Sequence, residues 1–268
     1  MHSLIESLAE RLQVAERERA STGKLTDDAP DLTVEDAYAI QNRTLEKRRA
    51  LGFHGRPARL VGRKVGITSK AVQEWLKVDQ PDFGFLLDDM EIKDGGTCAR
   101  AELLQPRIEG EIAFVLKDKL PGCFQVGGVT NADVVAATDF IVPALEIIDS
   151  RIHDWKISYR DTIADNASSA RFVVGTSPIS LDGIDLPLAG MSLRKNGRVL
   201  STGAGAACLG NPVNAVSWLA NTLCRLGSPL RPGEVVLSGA LGPVLPVEVG
   251  DFFELQIAHV GCTRVRFI

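Results

Sequence analysis

With 268 residues, 45% of them hydrophobic and 24% charged, the chain has the make-up of an ordinary globular protein, large enough for one big domain or two modest ones. Its 30 Lys and Arg against 34 Asp and Glu leave a net charge of −4, which excludes the concentrated basic surface that nucleic acid requires. No stretch approaches about 18 uninterrupted apolar residues, and residues 1–11 alternate acids and bases among leucines, unlike a signal peptide, so a soluble, cytoplasmic protein is expected.

Five cysteines (Cys98, Cys123, Cys208, Cys224 and Cys262) are scattered, odd in number and free of C-x-x-C spacing. That pattern predicts a reducing compartment, with neither a disulfide framework nor a zinc site.

Leu4, Leu8 and Leu12, with Ile5 alongside, make a narrow apolar stripe that predicts an opening helix. Residues 20–32 are polar, carry Gly23 and Pro30, and read as a loop. Thr33 with Asp36 three residues on is a capping-box start for a helix through Val34, Ala37, Tyr38 and Leu45 to a stop at Gly52. The Lys- and Arg-rich turn at 46–49 reads as a solvated face. A strand over 59–67 precedes a short helix over 70–78, with Val72, Trp75 and Leu76 turned inward. Further strands are expected over 108–116, 140–148, 171–174, 191–195, 235–238, 252–258 and 263–268. Thr130 and Asp133 cap a short helix that leads to Ala137. Asn211 and Pro212 open another, whose stripe of Val213, Val216, Leu219, Ala220 and Leu223 ends before Gly227. Strands come in runs and do not alternate regularly with helices, so the expectation is an α+β protein without a doubly wound sheet. Residues 1–58 form its helical part and 59–268 its β-rich catalytic body, which also counts as one domain.

In Ile108-Glu-Gly-Glu-Ile-Ala-Phe-Val-Leu116 strand parity places Glu109 and Glu111 on one face with Ala113 and Val115. Two carboxylates one pleat apart repel unless water or a cation separates them, although a solvated strand face explains a lone Glu-x-Glu as well. Glu146 stands among apolar residues of both parities, as in a strand buried on both faces. A carboxylate there must be protonated, paired or metal-bound, and Arg107 and Arg151 are candidates to pair it. If Glu109, Glu111 and Glu146 meet, their all-oxygen donor set suits a hard cation, Mg²⁺ or Mn²⁺. Lys64 lies between Gly62 and Gly66, on the strand face opposite Val61, Val65 and Ile67. The glycines leave room for a ligand or another backbone, and partial desolvation beside a metal would lower the lysine's pKa; a plain solvated lysine fits the spacing too.

Other signals carry less. The glycine-rich stretch 203–210 lacks G-x-G-x-x-G spacing, and no Walker, G-x-S-x-G or H-E-x-x-H motif occurs. His2, His54, His153 and His259 are dispersed, which weakens a Ser-His or Cys-His nucleophile. Asp161, Asp165 and Asn166 either line a site or make caps and turns.

At these same residues the sequence resembles the 2-oxopent-4-enoate (2-hydroxypenta-2,4-dienoate) hydratases of aromatic meta-cleavage pathways, within the fumarylacetoacetate-hydrolase superfamily. The marks are Gly62-Arg-Lys-Val-Gly-Ile-Thr-Ser-Lys-Ala-Val72, Val78-Asp-Gln-Pro-Asp-Phe-Gly84, Gln105-Pro-Arg-Ile-Glu-Gly-Glu-Ile-Ala-Phe114, Pro143-Ala-Leu-Glu-Ile-Ile-Asp-Ser-Arg-Ile152, Asp161-Thr-Ile-Ala-Asp-Asn-Ala-Ser168, and residues 203–212. The resemblance implies the superfamily's β-rich fold, with mixed sheets and a β-roll. It implies Mg²⁺ or Mn²⁺ on Glu109, Glu111 and Glu146, with Lys64 at the active site. Asp82 is the further candidate for orienting water or substrate. A small 2-oxo or 2-enol acid substrate, a homo-oligomer (a decamer among the options) and association with other pathway enzymes are implied as well. The superfamily's hydrolases use a His-containing water-activating pair that has no match here. 4-Oxalocrotonate decarboxylase shares the glutamates and the lysine and is the alternative activity.

Overall fold

The computed structural model describes residues 2–52 and 56–268, so His54 lies outside the described residues. Three helices open the chain: α1 (His2–Glu18), α2 (Leu25–Asp28) and α3 (Val34–Leu51). The next elements are β1 (Leu60–Gly66), α4 (Lys70–Leu76), β2 (Asp82–Leu87), β3 (Glu91–Ile92), β4 (Thr97–Cys98), β5 (Arg107–Leu116), α5 (Asn131–Ala137) and β6 (Thr138–Ile148). After them come α6 (Tyr159–Ala164), β7 (Ser169–Val174), β8 (Gly190–Lys195), β9 (Arg198–Ala204), α7 (Pro212–Arg225), β10 (Val235–Leu237), β11 (Leu245–Pro246), β12 (Phe252–Ile257) and β13 (Gly261–Phe267).

The strands form two mixed sheets. The larger runs β2-β1-β10-β5-β6-β7-β3 with β11 paired to β5; the smaller runs β4-β13-β12-β8-β9. The β1–β10 and β3–β7 pairs are parallel, and the long β5–β6 ladder is antiparallel. One face of β5, carrying Ile108, Ile112 and Phe114, is fully buried in a core shared with Leu255, Val265 and Phe267 of the smaller sheet. The sheets approach so closely at Gly110 that a Cβ there would lie 2.5 Å from Leu255 Cδ1. β5 therefore turns its other face, with Glu109 and Glu111, away from that core.

The opening helices share a second core, in which Leu8, Leu12, Leu25, Leu32 and Ile40 meet Ile152 and Ile163. The capping box at the start of α3 is present, Thr33 and Asp36 satisfying each other's backbone N–H groups. α3 also reaches the larger sheet. Tyr38 stacks on Phe83 with ring centroids 4.4 Å apart, and Gln41 donates to the carbonyls of Phe83 and Ile163.

Several expectations need correction. The loop expected at 20–32 contains α2, a four-residue turn held because Leu25 plugs the helical core. Arg48 is not on a solvated face; it is buried and paired with Glu16 and Asp89. α4 turns Gln73 inward, while Val72 is 38% and Trp75 61% exposed. Cys123 and Cys224 are joined in a disulfide, with Cα atoms 5.4 Å apart, because the turn at Pro121–Phe124 packs on α7. A separation of 101 residues hid that pairing from any spacing rule. Strands β2 and β9 were not expected; β2 is buried along its whole length and has no alternating pattern to read.

Candidate metal centre and active site

In the β5–β6 ladder Glu109 lies directly opposite Glu146, and Glu111 opposite Ala144. One carboxylate oxygen from each of Glu109, Glu111 and Glu146 comes within 4.8 Å of the others, and all three residues are buried. Gly239 N donates to Glu111 Oε2 at 2.6 Å, but Glu111 Oε1 and both oxygens of Glu146 accept no hydrogen bond. Burial first, then the neighbouring carboxylates, pushes the Glu109 pKa up to about 8 and raises that of Glu111 well above the ordinary carboxylate value.

Lys64 is placed by the shape of the larger sheet. In a flat sheet three strand steps of about 4.8 Å would hold β1 some 14 Å from β6. Yet Lys64 Nζ lies 3.2 Å from Glu146 Oε2, so the sheet curls towards this face. β10, between β1 and β5, ends at Leu237, and the chain beyond it stays beside β5, Ser238 N donating to Ile112 O and Leu241 N to Gly110 O. Lys64 thus pairs with Glu146 and answers the question that Arg107 and Arg151 had left open. Arg151 is bound to Asp165 instead, and Arg107 stacks on Trp155 with its guanidinium 4.5 Å from a ring centroid.

The lysine's pKa is not lowered. Burial alone would depress it, but Glu146, Asp82, Glu109 and Glu111 outweigh burial and hold it above its ordinary value. Asp82, opposite Gly66 in the β1–β2 ladder, is buried and pushed up to about 6, by burial first and the Glu146 charge next, against the pull of Lys64. At Gly66 a Cβ would lie 2.3 Å from Asp82 Oδ1 and 3.1 Å from Lys64 Nζ. The glycine is what lets these two side chains share the site.

Four buried carboxylates thus face one ammonium, and Glu111 Oε1 and Glu146 Oε1 have neither a hydrogen-bond donor nor an ion-pair partner among the described residues. An uncompensated cluster of this kind is costly, and an all-oxygen cradle open on one side is the donor set of a hard divalent cation. The residues present fit such an ion.

Lys64, Asp82 and Glu109 open onto a cavity of about 160 Å³, also lined by Thr68, Thr162 and Ser168 and by the apolar residues of α4. Backbone strain collects on its walls: Ile67, Trp155, Ala167 and Ser168 have φ of 56°, 56°, 50° and 55°. For a β-branched Ile67 this is a true outlier, of the kind that surrounding structure holds in place at functional sites. Ile67, Ala167 and Ser168 lie within the stretches that carry the family resemblance, but neither periodicity nor spacing marks them as residues of a site. Asp161, Asp165 and Asn166 have structural partners. Asp161 completes a capping box with Ser158, Asp165 holds Arg151, and Asn166 bonds both backbone groups of Phe85.

The sequence profile described as fumarylacetoacetate (FAA) hydrolase C-terminal matches residues 56–268. A protein of Paraburkholderia xenovorans named 2-keto-4-pentenoate hydratase is 50% identical over 98% of this chain and 94% of its own length. A 2-hydroxyhexa-2,4-dienoate hydratase of Comamonas testosteroni is 47% identical over 98% of this chain and 97% of its own. Among solved structures, a 4-oxalocrotonate decarboxylase of Pseudomonas putida complexed with magnesium and adipate superposes with a TM-score of 0.92. It is 37% identical, and the match covers 100% of this chain and 98% of that one. A fold with this sheet pair, this carboxylate triad and these relatives leaves one placement: the chain belongs to the fumarylacetoacetate hydrolase family.

Proposed function

We propose that the chain is a divalent-metal-dependent hydro-lyase of aromatic meta-cleavage catabolism. It adds water to 2-hydroxypenta-2,4-dienoate (2-oxopent-4-enoate) to give 4-hydroxy-2-oxopentanoate. The observation that carries this reading is the buried triad of Glu109, Glu111 and Glu146 beside Lys64, in a chain about half identical to hydratases along nearly its whole length.

Glu109, Glu111 and Glu146 would each give one oxygen to a Mg²⁺ or Mn²⁺ ion. That ion supplies Lewis-acid stabilisation of negative charge building on the substrate's 2-oxygen. Reaction starts with proton delivery to C5 and loss of the 2-hydroxyl proton, which gives the 2-oxo-3-enoate. Water then adds at C4 and a proton at C3. Lys64, held as an ammonium by its carboxylate neighbours, delivers one of these protons. Asp82, with Thr162 Oγ1 3.5 Å from its Oδ2, orients water or substrate. The strained walls fix the cavity before substrate arrives, which spares reorganisation during reaction.

Decarboxylation of 4-oxalocrotonate is the second reading, favoured by the full-length superposition on that decarboxylase. Purified protein with Mg²⁺ and 2-hydroxypenta-2,4-dienoate decides between them. Hydration removes the diene absorbance and yields 4-hydroxy-2-oxopentanoate. A chain that ignores this substrate but releases bicarbonate from 4-oxalocrotonate is the decarboxylase.

The reading extends to a homo-oligomer in association with other enzymes of the pathway. It assigns the cytoplasm, where Cys98, Cys208 and Cys262 stay as thiols, and makes the Cys123–Cys224 disulfide an exception to the reduced state usual there. No helix of the described residues is long and apolar enough to cross a membrane.

A further inference from the structure

The lining of the cavity is of two kinds. In its polar part, Arg107 lies two residues before Glu109 on β5, so the two share a strand face at a Cα spacing of about 7 Å. Its guanidinium is laid over the Trp155 ring at 4.5 Å, and that indole is itself fixed by its N–H donating to Gln105 O at 3.0 Å. Neighbouring arginines are engaged, Arg151 with Asp165 and Arg171 with Glu102, but no carboxylate lies within ion-pair reach of Arg107 among the described residues. Lys64, the other basic residue of the lining, is engaged by Glu146. A stacked, unpaired guanidinium is a pre-set two-pronged donor for a carboxylate.

The apolar part is supplied by α4. Its N-terminus is capped by Ser69, and Gln73, its one buried side chain, donates to Ile67 O at 3.0 Å. This anchoring turns Val72, Trp75 and Leu76 away from the core and onto the cavity, where Trp75 remains 61% exposed. Large apolar side chains in the open beside a polar centre call for an apolar occupant. A charged group placed against them would lose its hydration without gaining a partner.

We infer that the site selects monocarboxylates: Arg107, held flat by Trp155, takes the carboxylate end of the substrate, and the α4 wall of Val72, Trp75 and Leu76 takes an uncharged hydrocarbon end. This rests on the hydratase reading and narrows it, because the substrate of the rival decarboxylase carries a carboxylate at each end.

The test uses unreactive 2-oxo acids, so that binding is read apart from turnover. Calorimetry and quenching of tryptophan fluorescence follow 2-oxohexanoate and 2-oxohexanedioate binding to the Mg²⁺-loaded full chain, in wild type and in Arg107→Met, Arg107→Lys and Trp75→Ala variants of unchanged circular dichroism. Wild type is expected to hold the monoacid at least about tenfold tighter than the diacid, and Arg107→Met to weaken both by about 10- to 100-fold, the scale of a lost charged hydrogen bond. Arg107→Lys recovers part of that loss. Trp75→Ala weakens the monoacid and leaves the diacid unchanged. Equal or tighter binding of the diacid by wild type, or monoacid binding by Arg107→Met at the wild-type level, overturns the inference. Should the analogues behave as stated while the dienoate goes unhydrated, the acid-end and tail assignments stand and the hydratase reading fails.

Discussion

At Glu109 and Glu111 burial and the charge of the neighbouring Glu146 act in the same direction, each disfavouring the ionised form. Removing one charge should therefore have opposite effects with and without metal. Glu111→Gln is expected to stabilise the chelator-treated protein by on the order of 1 kcal/mol. The same change should abolish the thermal stabilisation that Mg²⁺ or Mn²⁺ gives wild type, which paired melting curves check. The pH dependence follows from the raised carboxyls. Asp82 at about 6 and Glu109 at about 8 both lie above their unfolded values, so the folded chain binds these protons more tightly. Their contribution is complete below the ordinary carboxylate range and is lost as pH rises through the folded values. The metal-free protein should thus melt at lower temperature at about pH 9 than at about pH 5, with added Mg²⁺ restoring more stability at the higher pH. A flat profile contradicts this reading of the cluster. Lys64→Met should lower turnover by about 10²- to 10⁴-fold, the usual share of a positioned acid or base, while the fold and metal binding persist.

Among the elements, the legible ones were those whose pattern is local. Thr33 with Asp36 and Thr130 with Asp133 announce helix starts, and parity along 108–116 separates Glu109 and Glu111 from the core face. What parity omits is the third dimension. The approach of Lys64 to Glu146 depends on the strand order and curl of the larger sheet, which are not written in any one segment. α4 shows the converse error, since its apolar stripe implies a core-facing helix yet faces a cavity. Local pattern reports that residues shun water, not which dry surface they meet. Gly66 tests how tightly β1 and β2 are fitted to the site. Gly66→Ala places a methyl group against Asp82 and Lys64 and should cost at least about tenfold in turnover with the circular dichroism unchanged.

Over the whole molecule, the division into residues 1–58 and 59–268 matters less than the contacts across it. We propose that the two parts unfold together, because Gln41, 2% exposed, spans both by donating to Phe83 O and Ile163 O. Calorimetry should show one transition, and Gln41→Ala should destabilise the whole by about 1–3 kcal/mol, since two buried carbonyls lose their donor. Two resolved transitions contradict a single unit. The Cys123–Cys224 link belongs to this scale as well, tying the Pro121–Phe124 turn to α7 across 101 residues.

The most direct measurement is an anomalous-scattering map of crystals soaked in Mn²⁺. It should show one strong peak within coordination distance of a carboxylate oxygen of each of Glu109, Glu111 and Glu146, and the peak should vanish in Glu146→Gln. A peak elsewhere on the chain, or none at these three side chains in the wild type, contradicts the account.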